Sequence, residues 1–307
     1  LARLASLTVS GSGTITITGS AVITMGGSVS INTSGTCNFG ESLLAQYAGN
    51  IYSNKPLYDY SLGNESNTVL QNDLSVLNDF VIDAGAFSCG TYTLTVGGNF
   101  TNNDTFDAGT GKVVFNATTA GHTIKTNDSE FYDVEFNGDG GEWTHQDIFT
   151  QTHAALLTKG TLNLGDTYWT GYFNETITLG SGFVLNIGAG NWTASGVKSL
   201  VVPTGASVLI STGGLYVANL TVSGSGTFIV SSTGTINIGG GAAVITSANF
   251  DAGQSTFQPL FGSNTISTTR PLYNLRVGLY DYGTTLTLLT DVVVQNDVLV
   301  HTDGTLD

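Results

Sequence analysis

An internal repeat constrains what this chain can fold into more than any other feature. The run Leu7–Thr14 (LTVSGSGT) recurs letter for letter at Leu220–Thr227. At an offset of 144 positions, Asp147–Asn163 also aligns without a gap with Asp291–Asp307. Repeated sequences form repeated structural units, each of which buries its apolar face against its neighbours. The fold must therefore be a stack or an array of similar units.

A short aromatic signature recurs ahead of the aligned run. It reads KPLYD from Lys55, SEFYD from Ser129 and RPLYN from Arg270, and a more divergent copy of the run lies at Asp73–Phe87. These spacings predict a repeating module of about 70 residues. It is present four times, and one copy is degenerate. We expect residues 1–307 to form one continuous repetitive segment, with repeats near 39–105, 106–180, 181–249 and 250–307 and with both ends of the chain inside a repeat.

Alternation of apolar and hydroxyl-bearing residues is the dominant local pattern, as in Thr14–Thr18, Tyr92–Val96 and Thr285–Leu288. Such runs place apolar side chains on one face of a strand and polar side chains on the other. Clusters rich in glycine, asparagine, aspartate and serine separate the runs and predict turns. A helix is indicated only at Glu41–Tyr47, as a single turn or a short helix. The chain is therefore predicted to be all-β.

Two all-β architectures fit this pattern. In a parallel β-solenoid, or β-helix, short strands of successive turns stack in register around one core. In an array of antiparallel β-sandwiches, each module would bury its own core between two sheets. We favour the solenoid because short L-x-V-x-G motifs recur at irregular spacings, at Leu7, Leu94 and Leu220. Each module would then have to hold about three turns of the solenoid.

The alternation of strands with glycine- and asparagine-rich corners supports a family resemblance. The segment Leu94–Phe115 (LTVGGNFTNNDTFDAGTGKVVF) resembles the long repetitive β-solenoid surface proteins of bacteria and archaea, including adhesin-like and autotransporter-passenger-like proteins. The resemblance implies an extracellular, elongated protein with a structural or adhesive role. The sequence departs from the haemagglutinin-like pattern because it lacks a strict repeat near twenty residues.

Charge argues against several partners. The chain has 8 lysines and arginines against 23 acidic residues, which gives a net charge of −15. Binding to nucleic acid requires clustered cations that neutralise phosphates, and anionic membrane surfaces also attract cations. No run approaches the length of apolar sequence that a membrane-spanning helix needs. We therefore expect neither nucleic acid binding nor membrane insertion.

Cysteines and glycosylation sequences bear on the compartment. Cys37 and Cys89 could form one disulfide between turns, which would suit an extracellular protein, or could be two buried thiols. Asparagine lies in an Asn-x-Ser/Thr sequence, the acceptor for glycosylation, at nine positions: Asn32, Asn64, Asn99, Asn103, Asn116, Asn127, Asn174, Asn191 and Asn219. This number modestly exceeds chance for such a composition and indicates an exposed, secreted protein.

Two kinds of chemical site can be considered. Carbohydrate-active solenoid enzymes need clustered carboxylates, and the run Asn137–Asp147 (NGDGGEWTHQD) supplies Asp139, Glu142, Trp143, His145 and Asp147. The simpler interpretation is a polar loop between strands. The acidic corners Asn103–Gly109 and Thr302–Asp307 resemble loops that bind calcium through oxygen ligands, although neither matches a known calcium motif. Lys55 and Arg270 occupy equivalent repeat positions, which indicates a structural role.

The sequence thus predicts a non-enzymatic extracellular building block of a surface filament, sheath or adhesive fibre. Its expected partners are copies of itself and surface carbohydrate. One alternative is a virus or phage tail fibre or spike, which uses similar β repeats. The other is a carbohydrate-active β-helix enzyme centred on Glu142, His145 and Asp147.

Overall fold

A computed structural model describes residues 3–64, 67–171, 176–194, 199–278 and 283–307. These residues form a parallel β-solenoid of about 14 turns without a helix. The predicted all-β solenoid is therefore confirmed, and the alternative array of antiparallel sandwiches is wrong. The described part of the chain also has no helix of the length and apolarity that a membrane crossing requires.

The chain divides into two compact units, Leu1–Thr152 and His153–Asp307. The strands of the first unit are β1 (Leu7–Gly11), β2 (Ile15–Thr16), β3 (Val22–Met25), β4 (Val29–Thr33), β5 (Cys37–Asn38), β6 (Leu43–Gln46), β7 (Ile51–Ser53), β8 (Asp59–Leu62), β9 (Asn67–Val69), β10 (Leu74–Val76), β11 (Phe80–Ile82), β12 (Ala86–Ser88), β13 (Thr93–Val96), β14 (Phe100–Asn102), β15 (Thr105–Asp107), β16 (Lys112–Phe115), β17 (His122–Lys125) and β18 (Glu130–His145). Strand β19 (Phe149–Asn163) contains the point of division.

The strands of the second unit follow the same plan. They are β20 (Tyr168–Gly171), β21 (Thr176–Thr178), β22 (Phe183–Gly188), β23 (Asn191–Ala194), β24 (Ser199–Val202), β25 (Ser207–Ile210), β26 (Gly214–Val217), β27 (Asn219–Val222), β28 (Thr227–Val230), β29 (Thr235–Ile238), β30 (Ala242–Ile245), β31 (Phe250–Asp251), β32 (Thr256–Pro259), β33 (Gly262–Thr268), β34 (Leu272–Val277), β35 (Thr284–Leu288), β36 (Val294–Val300) and β37 (Gly304–Leu306).

The turns vary in length although their strands stay in register. Leu74 pairs with Leu94, twenty positions later. Leu43 pairs with Asp59, only sixteen positions later, whereas Phe100 pairs with Ile124, twenty-four positions later. The corners absorb the difference, which explains why the sequence shows no strict period near twenty. The boundaries of the four modules stay a prediction.

Aromatic side chains stack along the core of the first unit. Tyr60, Phe80 and Phe100 occupy equivalent positions in three successive turns. The rings of Tyr60 and Phe80 stack with centroids 5.4 Å apart, as do those of Phe80 and Phe100. Full burial of such a side chain stabilises the fold by about 1.5–3 kcal/mol, and each aromatic pair adds about 0.5–1.5 kcal/mol. Stacking of equivalent residues therefore builds the core one turn at a time.

A comparable apolar column runs through the second unit. It begins at Trp169 and continues through Trp192, Leu215, Ile236 and Phe257, all of which are buried. The indole rings of Trp169 and Trp192 stack with centroids 5.1 Å apart. Alternation within each short strand points these residues inward and leaves their neighbours on the outer surface.

Polar side chains form a second kind of column at one corner of the first unit. Asp59 Oδ1 accepts a hydrogen bond from the backbone N–H of Asp79 at 3.0 Å. Asp79 Oδ1 in turn accepts from the backbone N–H and from Nδ2 of Asn99, at 2.8 and 3.0 Å. Asn99 Oδ1 then accepts from the backbone N–H of Thr123 at 2.8 Å and from its hydroxyl at 3.1 Å. This ladder joins four successive turns where their strands begin.

The helix predicted at Glu41–Tyr47 is wrong. Leu43–Gln46 forms β6, which pairs in parallel with β3 on one edge and β8 on the other. A helix of only seven residues gains little from helix propensity alone. Backbone pairing on both edges, together with the burial of Leu44, outweighs that local preference.

The ladder predicts unequal effects for two asparagine substitutions. Asn99→Ala removes the acceptor of the Thr123 N–H and should lower the free energy of unfolding by about 1–3 kcal/mol. Asn116→Ala, at an exposed asparagine of the same unit, should change it by less than about 0.5 kcal/mol. Urea unfolding of both variants measures the difference. Equal shifts of the two midpoints would show that the ladder contributes nothing.

Candidate functional site

The acidic run at Asn137–Asp147 does not form the predicted polar loop. Most of it continues β18, and the side chains alternate between the core and the surface. Trp143 is fully buried and packs edge-on against Phe136, with ring centroids 5.3 Å apart. A buried indole has no face on which a sugar ring could stack.

His145 also belongs to the core. It occupies the next position in the column of Tyr60, Phe80, Phe100 and Ile124. Its ring stacks on Phe149 with centroids 4.3 Å apart and an angle of 12° between the ring planes. Burial lowers the pKa of His145 from 6.5 to about 3, so that the imidazole is neutral near pH 7. It is therefore neither charged nor accessible for a general acid role.

Asp147 holds the backbone of a turn. Its carboxylate accepts hydrogen bonds from the Thr126 N–H at 2.8 Å and from the Asn127 N–H at 2.7 Å. It also accepts from the Thr126 hydroxyl at 3.0 Å. Asn127 and Asp128 adopt left-handed backbone conformations, with φ of 51° and 61°. The four hydrogen bonds to this carboxylate, two of them from the same N–H, stabilise a turn that L-residues rarely form.

The remaining two residues of the run lie on the outer surface. Asp139 is exposed and Glu142 is half-buried, whereas Trp143 and His145 point into the core. The five residues therefore do not converge on one cavity. The sequence carries a signal for this arrangement. Polar and apolar residues alternate in Glu142–His145, and this pattern indicates that Trp143 and His145 face the core.

Of the two alternatives for the cysteines, the structure shows free thiols and not a disulfide. Cys37 lies in the same turn as Val29. From Val29, the column of equivalent residues passes through Ile51 and Leu70 and reaches Cys89 three turns later. Stacked strands are about 4.8 Å apart, so three steps separate the two turns by about 14 Å. A disulfide requires Cα atoms within about 7 Å. Burial raises the pKa of the Cys89 thiol above its usual value, so the thiol stays protonated at neutral pH.

The glycosylation sequences differ in accessibility. Asn32, Asn64, Asn103, Asn116 and Asn127 are exposed, and Asn99, Asn191 and Asn219 are half-buried. Asn174 lies outside the described residues. A glycan is attached to the Nδ2 atom of asparagine. Asn99 Nδ2 donates a hydrogen bond to Asp79 Oδ1, and Asn127 Nδ2 donates one to the carbonyl oxygen of Asp104. Glycosylation stays a prediction.

The acidic corner at Asn103–Gly109, one of the two considered for calcium, uses its carboxylates to hold the backbone. Asp104 Oδ2 accepts a hydrogen bond from the Gly85 N–H at 2.7 Å, and Asp107 Oδ1 accepts from the Gly109 N–H at 2.9 Å. Within the described ranges, no three histidine, cysteine, aspartate or glutamate side chains form a group that could hold a metal ion. Calcium binding at Asn103–Gly109 and at Thr302–Asp307 stays a prediction.

The two equivalent cationic positions form the same corner in each unit. The Ser53 hydroxyl donates to the Lys55 carbonyl at 2.6 Å and accepts from the Lys55 N–H at 3.3 Å. The Thr268 hydroxyl makes the same two bonds with Arg270, at 2.8 and 3.0 Å. A proline follows each cation. The KPLYD and RPLYN copies of the signature therefore form a backbone corner that carries a cation.

The last turn of the second unit exposes apolar residues whose equivalents one turn earlier are buried. The exposed fraction rises between paired residues from Leu275 (2%) to Val298 (48%), from Val277 (0%) to Val300 (41%), and from Leu286 (0%) to Leu306 (37%). We call Val298, Val300 and Leu306 the terminal apolar patch. In the first unit, Leu4 is likewise exposed although its partner Met25 is fully buried. Sequence reasoning did not single out these residues, although the alternation in Val298–Val300 indicates inward positions.

Comparison with known proteins gives no match: no protein-family model, no curated protein and no solved structure is significantly similar to this chain.

The position of His145 predicts a pH dependence of stability. Above pH 6.5 the imidazole is neutral in both the folded and the unfolded chain. As the pH falls from 6.5 towards 3, the unfolded chain binds a proton that the folded chain excludes, so the free energy of unfolding falls by about 1.4 kcal/mol per pH unit. His145→Phe keeps the ring stack on Phe149 and should remove this slope. Urea unfolding at pH 7.0, 6.0 and 5.0 measures it.

The exposed His153 provides the control. His153→Phe should retain the slope of the unsubstituted chain. If His145→Phe also retained it, the buried neutral imidazole would not be the cause.

Proposed function

We propose that this chain is a structural building block of an extracellular filament, sheath or fibre, in which copies associate end to end through their terminal turns. The terminal apolar patch is the observation that carries this proposal. Its members occupy core columns of the solenoid. One added turn would bury them as Leu275 and Val277 are buried.

The open strands also present backbone groups for pairing. Unpaired N–H and C=O groups at a sheet edge are a template for another strand. β37 pairs on one edge with β35, and β1 pairs on one edge with β4, with no described strand on the other edge of either. Hydrogen bonding and apolar burial would thus act together when a further turn is added.

The internal repeat indicates which strand could fit. The octapeptide that begins in β1 recurs from Leu220 in β27, where the strand is paired on both edges, with β24 and β30. The same sequence can therefore pair on two sides. β37 belongs to the face that contains β27, through β30, β33 and β35. We accordingly assign β37 of one copy as the partner of β1 of the next.

Composition supports an exposed, extracellular setting for such an assembly. Charged residues make up 10% of the chain, and five of the eight described glycosylation sequences place their asparagine on the surface. The net charge of −15 makes copies repel one another at low ionic strength. Salt screens that repulsion, so we expect association to increase with salt concentration.

A double substitution in the terminal apolar patch tests the proposal. Val298→Lys with Val300→Lys places two ammonium groups where a further turn would have to stack. The unsubstituted chain should form elongated oligomers as its concentration rises, and the double variant should stay monomeric. Sedimentation velocity and negative-stain electron microscopy in 0.15 M salt measure both.

Val244→Lys is the matched control, because Val244 is an exposed valine on the outer surface of β30 in the same unit. It should associate as the unsubstituted chain does. A chain that stays monomeric, a closed trimer, or a double variant that assembles normally would each contradict end-to-end association.

A further inference from the structure

One face of the second unit ends before the other two. The strands β22, β25, β28 and β31 pair in order along this face. Beyond β31, no described strand continues it. The neighbouring faces continue, from β32 to β34 and β36 and from β33 to β35 and β37. The second unit therefore has a step in its wall above β31.

A shortened turn creates the step. Thr256 lies twenty-one positions after its partner Thr235, but its next partner, Asn274, follows it by only eighteen positions. Residues 269–271 lead directly from β33 to β34, so no strand is added to the face that contains β31. The step contains an open groove of about 560 Å³, which lies in the size range of small-ligand sites.

Arg270 is the cation of this groove, and its corner is held by the two hydrogen bonds with Thr268. Its Nε donates to the carbonyl oxygen of Phe250 at 3.5 Å. This carbonyl lies on the edge of β31 where a further strand would have paired. Arg270 thus covers an open sheet edge with one of its five N–H donors.

The rest of the guanidinium group is available to a ligand. No carboxylate of the described residues forms an ion pair with Arg270. Arg270 is half-buried and lines the groove. Its Nη atoms form a planar fork that matches a carboxylate in two parallel hydrogen bonds.

The other walls of the groove suit hydroxyl groups and a flat apolar surface. Asp251 supplies an exposed carboxylate, of which Oδ1 accepts the Gly253 N–H. Gln295 supplies an amide and Thr227 a hydroxyl group. Ile229 and Pro271 supply apolar surface. A carboxylate acceptor, an amide, a hydroxyl group and an apolar patch around one arginine are complementary to a sugar ring that carries a carboxylate.

We propose that this groove binds a uronic acid residue of an acidic polysaccharide, with the sugar carboxylate on Arg270 and sugar hydroxyl groups on Asp251 and Gln295. Strand addition by a peptide is less well supported, because β31 has only two residues and the Phe250 carbonyl already accepts from Arg270. The proposal does not rest on end-to-end association, since the groove lies wholly within the second unit.

Titration calorimetry with trigalacturonate tests the proposal. The measurement is made in 0.15 M salt, where the Debye length of about 8 Å limits the repulsion between the acidic chain and the ligand. Binding should be saturable with one site per chain. Arg270→Gln should weaken it at least about tenfold, because it removes the charged bidentate contact. Arg276→Gln, at an arginine of the same unit outside the groove, should leave the affinity unchanged.

Two further measurements keep the test decisive if Arg270→Gln disturbs the sheet edge. Gln295→Ala alters an exposed groove residue and should weaken binding without a change in circular dichroism. Trigalacturonate with methyl-esterified carboxyl groups should not bind. No saturable binding of trigalacturonate, equal binding of the methyl ester, or equal losses for Arg270→Gln and Arg276→Gln would each overturn the proposal. Binding of an extended peptide in place of the sugar would overturn it in favour of strand addition.

Discussion

The in-register stacking of equivalent residues from consecutive turns is the constraint on which the rest of this structure depends. Backbone hydrogen bonds fix the register, as between Leu74 and Leu94. Once the register is fixed, equivalent side chains lie above one another. Phe80 therefore stacks on Phe100, and Asp79 accepts a hydrogen bond from the backbone N–H of Asn99. Apolar columns and polar ladders are two results of one geometry, and a residue that is right in one turn stabilises the same position in the next.

The same geometry decides where chemistry can occur. Alternation sends Trp143 and His145 into the core, and a turn claims the carboxylate of Asp147, so the acidic run is part of the scaffold. An interruption of the stacking leaves backbone groups and side chains uncovered. Such a place in the second unit is the step above β31, where Arg270 covers an open strand edge. The proposed uronic acid site therefore lies where the strand stacking is interrupted and not in a regular turn.

Much of the fold could be predicted from the sequence, and particular residues show where prediction stopped. The repeated octapeptide and the alternation around Leu94 indicated a parallel solenoid, because both patterns reflect stacking directly. The sequence left a disulfide and free thiols as alternatives, because it does not reveal that three turns separate Cys89 from the turn of Cys37. The groove at Arg270 could not be foreseen, because it depends on a turn that is three residues shorter than the one before it. Corner lengths, and not strand sequences, limited the prediction.

Disulfide trapping between outward-facing residues of consecutive turns tests the parallel register most directly. Ser75 pairs with Thr95, which pairs with Val114. In a chain that carries Cys37→Ser and Cys89→Ala, Ser75→Cys with Thr95→Cys should form a disulfide under mild oxidation, because adjacent strands are about 4.8 Å apart. Ser75→Cys with Val114→Cys, two steps apart, should not. A disulfide in the second pair, or none in the first while the chain stays folded, would contradict the stacking on which this account depends.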